Sequence, residues 1–229
     1  MPAFNEYKTR DAAALALARH LGQALRNGVQ QRATASMIVS GGSSPRGLFH
    51  ELRTLPLPWC LVTIVPSDER WVPVNDASSN EGMIRRELMS GEPGFAHLVS
   101  LYRRDLSPSD SLPELNVALA EVPRPFDTVV LGMGDDGHTA SLFPDSPDLS
   151  LALATDADCV VQTVPRLGAP RVSLTTHSLL DARGINLLFF GAAKRAVYEQ
   201  SLKPGPIEEY PVRALVHQAR VPVNVFWAP

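Results

Sequence analysis

"VVLGMGDDGHTASLFP", residues 129 to 144, decides how the chain is read. Val129-Val130-Leu131 has the apolar, β-branched character of a buried strand. It leads into Gly132-x-Gly134-x-x-Gly137, with His138 directly after. The glycine spacing matches a dinucleotide-binding turn, which also needs a helix right after the third glycine and an acid about 20 residues further on. Asp156 or Asp158 meets the second need, but Pro144 comes soon after His138 and the strand lies mid-chain rather than opening a βαβ unit. A short glycine-rich loop presenting His138 fits these residues better than a cofactor cradle.

Other apolar runs on either side end in polar or glycine-rich turns: 35–40, 60–65, 126–131, 184–190 and 223–227. Their near-continuous hydrophobicity fits strands covered on both faces, as in a parallel sheet. Helical patterns lie between them. After Asp11, a plausible N-cap, AAALALARHLGQAL predicts a helix ending near Asn27-Gly28, and others are expected over 81–89, 111–120 and 192–202. Alternation of strand and helix argues for a doubly wound, mostly parallel α/β sheet with helices on both faces, Rossmann-like in outline. The proline-rich stretches 54–58, 121–125 and 204–211 read as connections, so residues 1–229 are expected to form a single domain.

Bulk composition excludes several classes. With 45% hydrophobic and 20% charged residues and a net charge of −3, the chain lacks the basic excess of a nucleic-acid binder, so any bound anion must meet a local cationic cluster. MPAFNEYKTRD carries no export pattern and AAALALA (12–18) is too short to span a bilayer, so a cytoplasmic protein without a membrane partner is expected. Cys60 and Cys159 lie in strand-like stretches and read as small buried hydrophobes in a reducing compartment.

In an open parallel sheet, ligands bind beyond the carboxyl ends of the strands. The loops expected there are SGGSSPRG, PSDERWVP, GMGDDGHTA and GAAKR, with PRVSLT (170–175) as a fifth candidate. Gly41 and Gly42 can bring backbone N–H groups close to a phosphate, while Ser43 and Ser44 can donate further bonds or cap the next helix. Residues 42–47 have P-loop spacing, but Leu48-Phe49 stand where Lys and Ser/Thr belong, which argues against nucleotide binding by that mechanism. Arg70, Arg171 and Lys194 are each ambiguous alone, since single cations are usually solvated or internally paired. Three at converging loops suggest a phosphate site. Of the six histidines, His20, His50, His97, His177 and His217 read as structural, leaving His138 on its glycine loop.

SGGSSP, SDERWVP with Ser79-Asn80 following, LGMGDDGHTASLFP, PRVSLT and Gly191-x-x-Lys194 occur in an order that resembles the 6-phosphogluconolactonase family, from about residue 10 to the C-terminal strand. DGHTASLFP is the most specific of these. The resemblance implies hydrolysis of 6-phospho-D-glucono-1,5-lactone without metal or cofactor, with His138 as general base and Asp136 as its loop partner. It also implies that Arg70, Arg171 and Lys194 are phosphate or substrate ligands and that Gly41, Gly42 and Ser43 line the same pocket. Ser44 replaces a more usual threonine, Asp145 stands where glycine is common, and the chain ends at Trp227-Ala-Pro229 without the acidic tail often seen. A monomer or small homo-oligomer is expected.

Two other readings share part of the pattern. Glucosamine-6-phosphate deaminase resembles this chain in its glycine loop and Asp-Gly-His block, but carries a catalytic glutamate five residues after the histidine, where this chain has Phe143. A non-catalytic sugar-phosphate sensor would need an effector module. A first helix beginning near residue 11 leaves no room for a helix-turn-helix before it.

Overall fold

A computed structural model describes residues 1–229. Seven strands form one parallel sheet: β1 (Ala3–Glu6), β2 (Ala35–Val39), β3 (Val62–Pro66), β5 (His97–Leu98), β6 (Thr128–Leu131), β9 (Ile185–Phe190) and β10 (Val223–Ala228). Three more, β4 (Asp68–Arg70), β7 (Cys159–Gln162) and β8 (Arg171–Leu174), form a separate antiparallel sheet. The helices are α1 (Arg10–Arg32), α2 (Pro45–Leu52), α3 (Asn80–Glu87), α4 (Pro108–Ala120), α5 (Leu149–Ala154), α6 (Thr176–Leu180), α7 (Ala192–Ser201) and α8 (Arg213–Val216). None is long and apolar enough to cross a membrane.

The large sheet runs β5-β3-β2-β6-β9-β10-β1. From β2 the chain builds outward to β3 and β5, then returns to β6 on the other flank of β2 and continues outward to β9 and β10. The order therefore reverses between β2 and β6, and beyond the carboxyl ends of these strands lies the crevice where such sheets bind ligands.

The uninterrupted apolar runs have a direct cause. Ile38, Val129, Leu131, Leu187 and Val225 face a core shared with α4, α6 and α8, whereas Met37, Val39, Val130, Leu188 and Phe226 face one shared with α1, α2 and α3. Each strand alternates, but both its faces are buried, so the sequence shows no polar side.

Several boundaries differ from the sequence expectation. Helix α1 does not end at Asn27-Gly28 but continues to Arg32, closing on Ala33 in a left-handed conformation (φ 59°). Gly28 serves close packing, because a Cβ there would lie 2.7 Å from the Asp127 carboxylate. The N-cap is Thr9, whose hydroxyl accepts the Ala12 N–H at 3.1 Å, with Asp11 in the first turn favoured there by the helix dipole. Cys60 is exposed on a 3-10 turn (Trp59–Leu61) rather than buried in a strand. Cys159 is buried in β7, and that burial, with Asp158 alongside, pushes its thiol up to about 12. The edge strand β1 was not expected: its four mostly exposed residues carry no periodic signal, and pairing with β10 defines it.

Candidate active site

The loops after β2 and β6, the small antiparallel sheet and the start of α7 enclose a cavity of about 350 Å³. It is lined by Gly41, Gly42, Ser43, Arg70, His138, Arg171 and Lys194, seven of the eight residues that the sequence nominates. Asp136 sits behind His138 and lines an adjoining cleft.

Chain geometry makes each wall. Gly42 has φ 92°, a conformation that side chains disfavour, and a Cβ on Gly41 would collide with the Asn80 side chain. Ser44 occupies the N-cap position of α2 in a helical conformation and makes no side-chain cap bond, so the capping role expected for these serines is not seen there. Asn80 is held in turn by Asp68, donating to its carbonyl at 2.9 Å and its carboxylate at 3.3 Å.

Arg70 and Arg171 were expected on loops. They instead stand directly opposite each other in the antiparallel pair β4–β8. Like charges facing across strands are unfavourable in isolation, which makes the pair suited to an anion between or above them. Arg171 is buried, and its Nη1 lies 3.8 Å from Asp68 Oδ2. Burial lowers its pKa, with Asp68 acting in the opposite direction. Arg70 Nη1 donates to the Ser78 carbonyl at 2.5 Å, and both guanidinium groups keep a buried Nε without a protein partner. Lys194, half-buried in the first turn of α7, completes the cationic side.

The loop from Gly132 to His138 is not followed by a helix. It closes on itself, with Gly134 N–H bonding the His138 carbonyl at 2.9 Å, and α5 starts only at Leu149. This geometry lacks the helix N-terminus that a dinucleotide turn requires. Gly134 leaves room for the imidazole, since a Cβ there would overlap its ring. Asp136 Oδ1 bonds His138 Nδ1 at 2.5 Å and also accepts the His138 backbone N–H at 3.1 Å. Partial burial works to raise the Asp136 carboxyl, but these bonds and the neighbouring imidazole hold it well below the usual carboxylate range. Phe143 stacks on the His138 ring at 4.0 Å between centroids, 27° from parallel. The residues between them anchor the loop: Thr139 donates to the Gly132 carbonyl at 3.0 Å, and Ser141 donates to Asp68 Oδ2 at 2.6 Å.

Sequence reasoning missed Asp68, Asn80 and Arg166 as lining residues. Asp68 and Asn80 flank residues that were singled out, but their mutual bond joins positions twelve apart and follows no periodicity. Arg166 lies on a short 3-10 turn in an irregular connection, where its charge is the only signal. No group of three or more His, Cys, Asp or Glu side chains is arranged to hold a metal ion.

Comparisons with known proteins converge on one family. A sequence model described as "Glucosamine-6-phosphate isomerases/6-phosphogluconolactonase" matches residues 8–227. The chain is 37% identical over 228 residues to a 6-phosphogluconolactonase of Mesorhizobium japonicum, covering 99% of this chain and 95% of that protein. It is also 37% identical to the Pseudomonas putida 6-phosphogluconolactonase, covering 97% and 92%. The crystal structure of a 6-phosphogluconolactonase from Shewanella baltica superposes with a TM-score of 0.98 at 36% identity, over 100% of this chain and 98% of that one. A monomeric glucosamine-6-phosphate deaminase shares the fold alone, at a TM-score of 0.78 and 17% identity. With a fold and a near full-length sequence match in common, this chain belongs to the glucosamine-6-phosphate isomerase/6-phosphogluconolactonase family.

Proposed function

We propose that this chain, as a single-domain cytoplasmic enzyme acting as a monomer or small homo-oligomer, hydrolyses 6-phospho-D-glucono-1,5-lactone to 6-phospho-D-gluconate in the oxidative pentose phosphate pathway. The observation that carries the reading is one cavity lined by an Asp136-backed His138 together with Arg70, Arg171 and Lys194. The 6-phosphogluconolactonase names of its relatives agree with it.

A lactone is an activated ester, so a positioned base is enough to open it. Asp136 takes Nδ1–H and leaves Nε2 as the acceptor. As water adds to C1, Nε2 takes its proton; as the C1–ring-oxygen bond breaks, the imidazolium returns that proton to the departing oxygen, which becomes the C5 hydroxyl. The new carboxylic acid then ionises in solvent. Acid–base assistance of this kind is worth roughly 10²–10⁴-fold. Arg70, Arg171 and Lys194 bind the phosphate with the backbone of Gly41, Gly42 and Ser43, supplying register rather than bond-making.

The same family includes isomerases of glucosamine 6-phosphate, and Phe143 separates the two chemistries. Its ring lies against the imidazole where the deaminases carry a glutamate, and an apolar ring moves no proton. Freshly prepared 6-phosphogluconolactone should be hydrolysed well above its spontaneous rate, with no turnover of glucosamine 6-phosphate. The reverse pattern overturns the assignment.

A further inference from the structure

Asp136 uses one carboxylate oxygen for His138. Its other oxygen, Oδ2, accepts a bond from Arg166 Nη2 at 2.7 Å, and Arg166 Nε reaches Asp145 Oδ2 at 2.7 Å. One guanidinium therefore forks between two carboxylates on either side of the catalytic histidine. It also lies 5.3 Å from the centroid of Phe143, the ring that supports His138. Arg166 belongs to the irregular connection between β7 and β8, and these two ion pairs tie that connection to the His138 loop.

We propose that Arg166 is a positioning residue for the His138–Asp136 pair: it fixes the carboxylate that sets the imidazole tautomer. Free of Arg166, Asp136 could rotate about its Cβ–Cγ bond and exchange oxygens, and the bond that orients Nδ1 would no longer be held in one geometry. The planar fork suits this role. An ammonium has one nitrogen and cannot span two carboxylates in the same way.

Other charges act on the same imidazole. Asp135 and Asp136 approach from its own loop, and Asp145 from the turn beyond Phe143. Arg70, Arg171 and Asp68 on the small sheet and Lys194 on α7 line the same cavity, with Arg171 5.4 Å from the centroid of Phe143. Arg166 differs from these cations in bonding directly to the histidine's partner, so its removal changes both geometry and charge at that point.

The test compares Arg166→Gln with Arg166→Lys. Histidine-ring ¹⁵N NMR on the ligand-free protein should show the neutral His138 ring with its proton on Nδ1 in the wild type, and a mixture of the Nδ1–H and Nε2–H tautomers in Arg166→Gln, where the Asp136 carboxylate is no longer fixed. Arg166→Lys should fall between the two. For the lactone reaction, which rests on the function proposed above, Arg166→Gln should lower kcat about ten-fold with KM within about two-fold, and Arg166→Lys should recover part of the loss. An unchanged tautomer signal in Arg166→Gln overturns the proposal, as does a raised KM at unchanged kcat, which would make Arg166 a substrate-binding cation. A wild-type protein inactive on the lactone would count against the functional reading alone, because the NMR measurement needs no substrate.

Discussion

At the scale of single residues, the function proposed above assigns some groups to hold the substrate and His138 to move a proton. His138→Ala should remove most turnover while leaving affinity for 6-phosphogluconate largely intact, as measured by kcat and by titration calorimetry. Arg70→Ala should act in the opposite sense, raising KM by ten-fold or more with a smaller change in kcat, because a charge-assisted phosphate contact is worth about 1.5–3 kcal/mol. Asp136→Asn is the sharper variant. An amide nitrogen turned toward Nδ1 favours the tautomer with its proton on Nε2, which cannot accept one from water, so kcat should fall by about 10² or more. Since the folded state depresses the Asp136 pKa, the stability this carboxylate contributes is present above its unfolded value near 3.9 and is lost as pH falls through the lower folded value. The stability gap between wild type and Asp136→Asn should therefore close on acidification below about pH 4, as followed by thermal melts. Asp145 reads in the sequence only as a departure from glycine, and its meaning depends on Arg166, twenty-one residues away.

Among the elements, the small sheet separates what the sequence discloses from what it hides. The β2, β3, β6, β9 and β10 runs are legible because both their faces are apolar, and the loops at their carboxyl ends follow from sheet topology. Strands β4 and β8 are short and polar at the site, so Arg70 and Arg171 read as loop residues; only pairing between positions about a hundred apart makes them register partners. Helix α3 depends on the same sheet. Buried Glu69 in β4 accepts the Asn80 N–H at 2.7 Å, the Glu81 N–H at 2.7 Å, the Arg70 N–H at 2.8 Å and the Ser79 hydroxyl at 3.0 Å. Burial pushes this carboxyl up, against four donors that favour its ionised form. In Glu69→Gln one oxygen becomes a donor facing the Glu81 N–H, leaving a helix N-terminal group unpaired. Denaturant unfolding should show a loss of about 1–3 kcal/mol.

On the scale of the whole molecule, the parallel sheet has two ends with different duties. The carboxyl ends of β2 and β6 open on the cavity, whereas their amino ends are joined by Asp127, just before β6. Its buried carboxylate accepts the Ser36 N–H at 2.9 Å, pairs with Arg32 at the end of α1, and lies 3.7 Å from Arg183 Nε ahead of β9. One side chain thus ties a helix terminus to three neighbouring strands, and Gly28 is the residue that lets α1 come close enough. Gly28 has the look of a helix terminator in the sequence because its partner is nearly a hundred residues distant. Asp127→Ala leaves the buried Ser36 N–H unpaired and releases Arg32, which is partly exposed and can regain water, so the loss should be about 2–3 kcal/mol rather than that of a fully buried pair. Gly28→Ala, which overpacks the same junction, should cost about 1–3 kcal/mol. Both variants should unfold at lower denaturant concentration yet keep wild-type kcat and KM at temperatures where they remain folded. A selective fall in kcat without a stability change would show that the two ends of the sheet are coupled.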